Sequence, residues 1–393
     1  MIDYCHAQHI IESLTPLSII ERIPIVSAVG RVLSRDIVAP NDMPLFNRSA
    51  MDGIALRADD LHDGMALSVL YDVSAGTVFD GVVAKGQCVK IMTGAPVPEG
   101  CDTVIRKEYC VGYDTSSISV AHQEPKGANI AYQGEDFKAG DVLLSSGTVV
   151  QEFTVGTLAS VGQMFIDVMA SPRCAVFSTG DEVYEPYEPL SPSTIRNVNA
   201  YGVMSQLQRD HYEFSYGGIV PDTRNALQNA LETSEKRSDV IIFSGGVSEG
   251  DKDFLPVILQ EMGYTIIYHG MNIKPGKPQL CAQKGSTLVF GLPGNPVSTI
   301  LSMRLFVLPA LRRLAGQKDV YDPLLMGRWL KPPKVLSDKY HFVPVQAYAT
   351  LGYWEIESYK TNGSGDIFAN ARANGYACVA PQFDGTESPF FLL

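Results

Sequence analysis

Over residues 173–316, short apolar runs bounded by glycine and proline alternate with stretches whose apolar residues recur at helical spacing. The runs are Cys174-Ala-Val-Phe-Ser178, Phe214–Val220, Val240–Ser244 and Thr287-Leu-Val-Phe-Gly291. Their length and their β-branched and aromatic content predict buried strands. Asn199–Asp210, Asp222–Glu235, Phe254–Met262 and Val297–Leu314 read as helices, with Asn199 and Asp222 as expected N-caps. This alternation predicts a parallel sheet with helices on both faces. Ligands on such sheets bind beyond the carboxyl ends of the strands.

Elsewhere the rhythm changes. Residues 1 to about 20 predict a helix, with Ile10, Ile11 and Leu14 on one face. From 21 to 145 prolines and glycines are frequent and apolar segments short, as in Gln87-Cys-Val-Lys-Ile-Met92, which predicts a β-rich domain with long loops. Thr148–Val161 is helical again. From about 322, segments such as His341-Phe-Val-Pro-Val-Gln and Tyr353-Trp-Glu-Ile-Glu-Ser predict a small C-terminal β-barrel.

Composition narrows the function classes. The 393 residues exceed the length, roughly 250–300 residues, at which single cores stop growing, so several domains are expected. The net charge of −12 argues against a nucleic-acid partner, and an anionic ligand would need a local basic pocket. Seven scattered cysteines, an odd count without a C-x-x-C pair, fit reduced thiols better than a disulfide framework or a zinc site. The first residues lack the basic start and apolar stretch of a signal peptide. No run approaches the roughly 18 apolar residues of a membrane span, so a cytoplasmic protein without a membrane partner is expected.

Candidate chemistry gathers at loops. Ser244-Gly-Gly-Val-Ser-Glu-Gly-Asp-Lys-Asp253 follows a predicted strand directly. Its glycines let backbone N–H groups approach an anion, and Asp251 and Asp253 follow at once. Lys274-Pro-Gly-Lys-Pro278 holds two ammonium groups in a proline-stiffened turn suited to an oxyanion. Gly291-Leu-Pro-Gly-Asn-Pro296 leaves a strand and opens a helix, and Ser178-Thr-Gly-Asp-Glu182 is another strand-end loop. Each alone reads equally well as a structural turn; four at the ends of one sheet point to one pocket. In the β-rich part, Asn47-Arg-Ser-Ala-Met-Asp-Gly53 offers Ser49 and Asp52, Ile91-Met-Thr-Gly-Ala-Pro-Val-Pro98 offers Thr93, and Gly134-Glu-Asp136 adds two acids. These are hairpin turns, or an oxygen-rich set suited to a hard metal such as Mg²⁺ or to holding an oxyanion. No Ser-His-Asp triad, Walker loop or G-x-G-x-x-G fingerprint is present.

Together these segments resemble the molybdopterin molybdenumtransferase (MoeA) family, which includes the E domain of gephyrin. The resemblance runs from about residue 10 to the end and adds Asn362-Gly-Ser-Gly-Asp-Ile and Ala371-Arg-Ala-Asn374 to the motifs above. It implies a multidomain α/β protein with a parallel-sheet pterin-binding domain (MoaB/MogA-like), a β-rich N-terminal domain, a helical linker domain and a C-terminal β-barrel. The expected boundaries are 1–25 with 138–170 for the discontinuous linker, 26–137 for the β-rich domain, 171–318 for the α/β domain and 319–393 for the barrel.

The implied activity is Mg²⁺-dependent insertion of molybdate into adenylylated molybdopterin, with release of AMP. The alternatives are a molybdopterin adenylyltransferase or a non-catalytic pterin-binding scaffold. Carried over by motif, Asp52, Thr93, Asp136, Glu182, Asp222 and Asp253 would be catalytic. Ser244, Gly245, Gly246, Ser248, Gly250, Lys274, Lys277, Pro293, Asn295 and Pro296 would hold the ligand, and Asp253, Asp251 and Glu182 the metal. The family pattern implies a homodimer with Asp52, Thr93 and Asp136 approaching from the partner chain. Molybdopterin adenylyltransferase and molybdoenzyme maturation proteins are the implied protein partners. Two positions depart from the pattern: Asn197 stands where an acid is usual, and Glu249 where an apolar residue is common.

Overall fold

The computed structural model describes residues 1–62, 65–246, 254–333 and 338–393. The chain divides into two compact units, one of residues 1–34, 147–155 and 165–393, the other of 35–146 and 156–164.

The first unit is built on a six-stranded sheet. In chain order its elements are β1 (Cys174–Thr179), α1 (Val198–Arg209), β2 (Phe214–Val220), α2 (Arg224–Ser234), β3 (Val240–Ser244), α3 (Leu255–Glu261), β4 (Thr265–His269), β5 (Leu280–Lys284) and β6 (Thr287–Leu292). The spatial order is β2-β1-β3-β6-β5-β4. The four expected strands, β1, β2, β3 and β6, run parallel. Two further strands extend the sheet antiparallel, because Lys284-Gly-Ser-Thr287 closes a hairpin from β5 to β6. Strand alternation sends side chains to two cores. Val176, Ile242 and Phe290 face one with α1; Phe177, Ile241, Phe243 and Val289 face the other with α2 and α3.

Two caps differ from expectation. Asn197, not Asn199, caps α1, its side chain accepting from the Ala200 amide. The cap of α2 is Thr223 rather than Asp222, and its side chain makes no capping bond. After β6, α4 (Pro296–Ser302) passes through a π-helical segment, Met303–Val307, into α5 (Leu308–Leu314). Pro309 supplies no N–H, which fits a local change of hydrogen-bond pattern just before it. The N-terminal helix is short, Tyr4–Glu12, ending before Pro16. It buries Ala7 and Ile11, and Leu14 beyond its end joins the same core.

The C-terminal part is a closed five-stranded barrel of β7 (Leu325–Lys331), β8 (Tyr340–Ala349), β9 (Trp354–Ser358), β10 (Gly375–Val379) and β11 (Glu387–Leu392). The order β8-β9-β7-β11-β10 closes through the pairing of β8 with β10. Its interior holds Val345, Ala347, Ile356, Ala377, Val379 and Phe390.

The second unit is β-rich. Strands Thr103–Arg106, Gly53–Leu56, Gln87–Ile91, Ala66–Val73, Ser117–Val120 and Cys110–Val111 lie in that order. Both faces are buried, Ala55, Val89 and Val104 on one and Ile54, Leu56, Cys88 and Ile105 on the other. Gly53 is required there, since a Cβ would stand 1.8 Å from the Ile105 carbonyl oxygen. No helix among the described residues is long and apolar enough to cross a membrane.

Candidate functional site

Strands β1, β3 and β6 end side by side, Ser178 opposite Ser244 and Ser244 opposite Leu292. Beyond these ends lies a cavity of about 300 Å³. The end of β1 brings Thr179 to it and the following loop Glu182, the loop after β3 brings Gly245 and Gly246, and the loop after β6 with the first residue of α4 brings Gly294, Asn295 and Pro296. Asp222, just past β2, and the start of α1 with Arg196, Asn197 and Asn199 complete it.

Local chemistry explains the close approach of these loops. Gly245 has φ +93° and Gly246 φ +68°, in the region that favours glycine. The Gly245 amide donates to the Leu292 carbonyl at 3.0 Å, tying two loops together. A Cβ on Gly245 would meet Thr179 Oγ1 at 2.7 Å and the Thr179 carbonyl at 3.0 Å. Gly245→Ala is therefore expected to cost about 1–3 kcal/mol, read as a lowered midpoint in thermal or urea unfolding. Asn199 Nδ2 donates to the Gly294 carbonyl at 2.8 Å, fixing the start of α1 against the β6 loop. Asn295 Nδ2 donates to Ser364 Oγ at 2.9 Å, which gives the Asn362-Gly-Ser-Gly-Asp motif a role in holding that loop.

The rim is acidic. Glu182 and Asp222 line the cavity, and the Asp222 amide donates to Asp181 Oδ1 at 3.3 Å. Arg196 also lines it, but its Nη1 donates to the carbonyls of Glu185 and Glu188. Two buried polar atoms at the cavity, Thr179 Oγ1 and Asn199 Oδ1, lack a partner among the described residues.

Of the residues expected from sequence, Glu182, Asp222, Ser244, Gly245, Gly246, Asn295 and Pro296 come together here. Pro293 does not line the cavity; its carbonyl accepts from Thr299 Oγ1 at 2.5 Å. Lys274 and Lys277 are exposed and do not line it either, although Pro278 of the same segment does. Ser248, Glu249, Gly250, Asp251 and Asp253 lie outside the described residues. Sequence reasoning missed Thr179, Arg196 and Glu185. The last stands in Glu-Pro-Tyr-Glu-Pro, which reads as a solvated turn, yet Glu185 is buried. Asn197, noted as a departure, is a structural centre: 2% exposed, it caps α1 and bonds Ser178 and Tyr216.

In the β-rich unit the Asp52 carboxylate accepts from both the amide and the hydroxyl of Thr93, each at 2.8 Å. These bonds, the backbone one first, hold the Asp52 carboxyl below its ordinary range, with Lys107 adding to the effect. Asp52 is therefore ionised at neutral pH. A depressed carboxyl contributes stability above its unfolded-state pKa and loses it as pH falls through the folded value. Thr93→Val should raise the Asp52 pKa toward the ordinary carboxylate value, as an NMR titration of the side chain would show. Asp136 is exposed in a separate turn of this unit, its amide donating to the Met43 carbonyl at 2.9 Å.

Among the described residues no group of three or more His, Cys, Asp or Glu side chains is placed to hold a metal by itself. The cavity chemistry is nonetheless all oxygen and nitrogen, with carboxylates at one rim. That suits a hard cation shared with a ligand's phosphates, since Mg²⁺ commonly takes only one or two protein carboxylates.

Comparison with known proteins shows the family. Residues 2–162 match the model of the MoeA N-terminal region (domain I and II). Residues 175–313 match that of a probable molybdopterin binding domain. A molybdopterin molybdenumtransferase of Haemophilus influenzae is 34% identical over 313 residues, covering 80% of this chain and 75% of that protein. One from Bacillus subtilis is 33% identical over 300 residues, covering 74% of this chain and 70% of its own. A solved MoeA structure from Pyrococcus horikoshii superposes with a TM-score of 0.85 at 26% identity, over 100% of both chains. On motif order, fold and sequence identity alike, the chain belongs to the family of molybdopterin molybdenumtransferases, enzymes of molybdenum cofactor biosynthesis.

Proposed function

We propose that the protein inserts molybdenum from molybdate into adenylylated molybdopterin with release of AMP, assisted by Mg²⁺, in a homodimer. The carrying observation is the cavity at the carboxyl ends of β1, β3 and β6, with Glu182 and Asp222 on its rim. A pyrophosphate or molybdate meeting the Glu182 and Asp222 carboxylates at the cavity encounters like charge there. A divalent cation resolves that conflict. Glu182 and Asp222 would hold it, and when bound it would neutralise charge developing on the departing AMP phosphate. The glycine backbone at 245–246 lets the ligand approach closely, and Asn295 is already oriented by Ser364. The ionised Asp52, held by Thr93, would complete the site from a second chain. The substrate's own dithiolene sulfurs bind the molybdenum, so the protein needs no cysteine ligand set.

The test is incubation of the purified protein with adenylylated molybdopterin, Mg²⁺ and molybdate. AMP release with formation of active cofactor is expected. Absence of both overturns the proposal, and ATP consumption with free molybdopterin would assign the preceding adenylylation instead. Glu182→Ala is expected to lower turnover by about 10²-fold, the scale of losing one group that stabilises transition-state charge, with the fold unchanged by circular dichroism.

A further inference from the structure

Behind Ser244 the cavity wall carries a buried run of hydrogen bonds whose direction follows link by link. Asn197 Oδ1 accepts from the Ala200 amide at 3.3 Å. An amide N–H only donates, so the opposite end of the Asn197 side chain is its amino group. That amino group donates to Tyr216 Oη at 2.8 Å and to Glu185 Oε1 at 3.4 Å. Ser178 Oγ, 2.8 Å from Asn197 Oδ1, must then be the donor there. Its single proton is thereby engaged, so across the 3.1 Å contact with Ser244 Oγ it is Ser244 that donates. Ser244 Oγ is left with lone pairs alone for whatever enters the cavity. Thr179, 6% exposed, also lines the cavity, and its hydroxyl has no partner among the described residues.

Glu185 anchors the far end of this run. It accepts from Tyr201 Oη at 3.0 Å and from Tyr216 Oη, as well as from Asn197. Burial, then the bond to Glu185, pushes the Tyr216 hydroxyl above its ordinary value. For Tyr201 the bond to Glu185 comes first. Both tyrosines therefore keep their protons at neutral pH. An acid at position 197 would set a second carboxylate against Glu185 in a buried wall, where like charges disfavour joint ionisation. The amide at 197 and the acid at 185 belong together.

We infer that Glu185 and Asn197 are a matched pair of positioning residues that make the Ser244 end of the cavity a hydrogen-bond acceptor edge, and that this edge selects a flat heterocycle by its N–H donors. The identity of that heterocycle as a pterin rests on the proposed function; the proton order does not.

The probe is pterin-6-carboxylate, whose fluorescence reports binding, compared with a derivative methylated at the exocyclic amino group and N3, which has lost those donors. The protein should bind the parent compound about tenfold more tightly, the scale of one or two well-made hydrogen bonds. Ser244→Ala should abolish that preference, which a purely steric effect of the methyl groups would not do. Asn197→Asp should weaken parent binding by about tenfold through the paired carboxylates, and in turnover raise KM while leaving kcat within about twofold. The double variant Glu185→Gln/Asn197→Asp, with one carboxylate again, should return affinity to within about twofold of the starting protein. Thermal melts of each variant report whether it is folded. Indifference of the unmodified protein to methylation overturns the inference, as does failure of the double variant to exceed Asn197→Asp. If AMP is released normally in those cases, the proposed function stands without it. Absence of both pterin binding and AMP release removes both.

Discussion

Replacing Phe243 with alanine should destabilise the α/β domain by about 3–5 kcal/mol, the usual cost of emptying a phenylalanine site in a packed core. Phe243 is 0% exposed at the centre of the parallel strands. Its ring stacks on Phe177 of the neighbouring strand, with centroids 5.0 Å apart and planes at 16°. Leu255, Ile258 and Leu259 of α3 share the same core, so the vacated volume would be enclosed by apolar side chains. The change also sits one residue before Ser244, so loss of packing should loosen the cavity wall. Urea unfolding measures the effect. A shift below about 1 kcal/mol would show that this core relaxes into the vacated volume. Phe368, 83% exposed, is the control, and its alanine variant should stay within about 0.5 kcal/mol.

The parts of the fold that were legible in sequence are those where one local rule decides. Val240-Ile-Ile-Phe243 is apolar throughout because both its faces are covered, and its bounds need no tertiary knowledge. Of the two antiparallel strands, Leu280-Cys-Ala-Gln-Lys284 is not legible because it is mixed in character and preceded by a proline-rich turn. Their pairing is set by the hairpin to β6 rather than by their own pattern. The caps failed for a related reason. Asn197 and Asn199 are both competent caps, and only tertiary bonds decide: Asn197 reaches Ser178 and Tyr216, whereas Asn199 reaches the Gly294 carbonyl.

The site divides in the same way. Glycines and acids at strand ends announce themselves by residue type and position, hence Glu182, Asp222, Gly245 and Gly246. Lys274 and Lys277 have the charge and stiffness of an oxyanion site, yet spacing in sequence says nothing of which way a turn carries its side chains. Glu185 shows the converse. Nothing in its neighbourhood distinguishes it from a solvated acid until Tyr201 and Tyr216, from two other elements, close over it.

Two inactive variants should restore each other when mixed. On the proposed reading, Asp52 and Glu182 act in one site but come from different chains of a homodimer. Asp52→Ala alone and Glu182→Ala alone should each lower AMP release by about 10²-fold. Co-refolded in equal amounts, half of the dimers carry one chain of each kind. In such a dimer one site lacks both groups and the other has both. Total activity should therefore recover to about a quarter of that of the unaltered protein, a consequence of two-fold symmetry with a site shared across it. If both residues acted within one chain, every site in every mixed dimer would lack one of them, and activity would stay at the level of the single variants. The ionised state of Asp52 sharpens the expectation. Asp52→Asn keeps the size but removes the charge that Thr93 and Lys107 stabilise. It should behave like alanine in this assay if the carboxylate charge is what the site uses, and like the unaltered residue if Asp52 only orders the Thr93 turn.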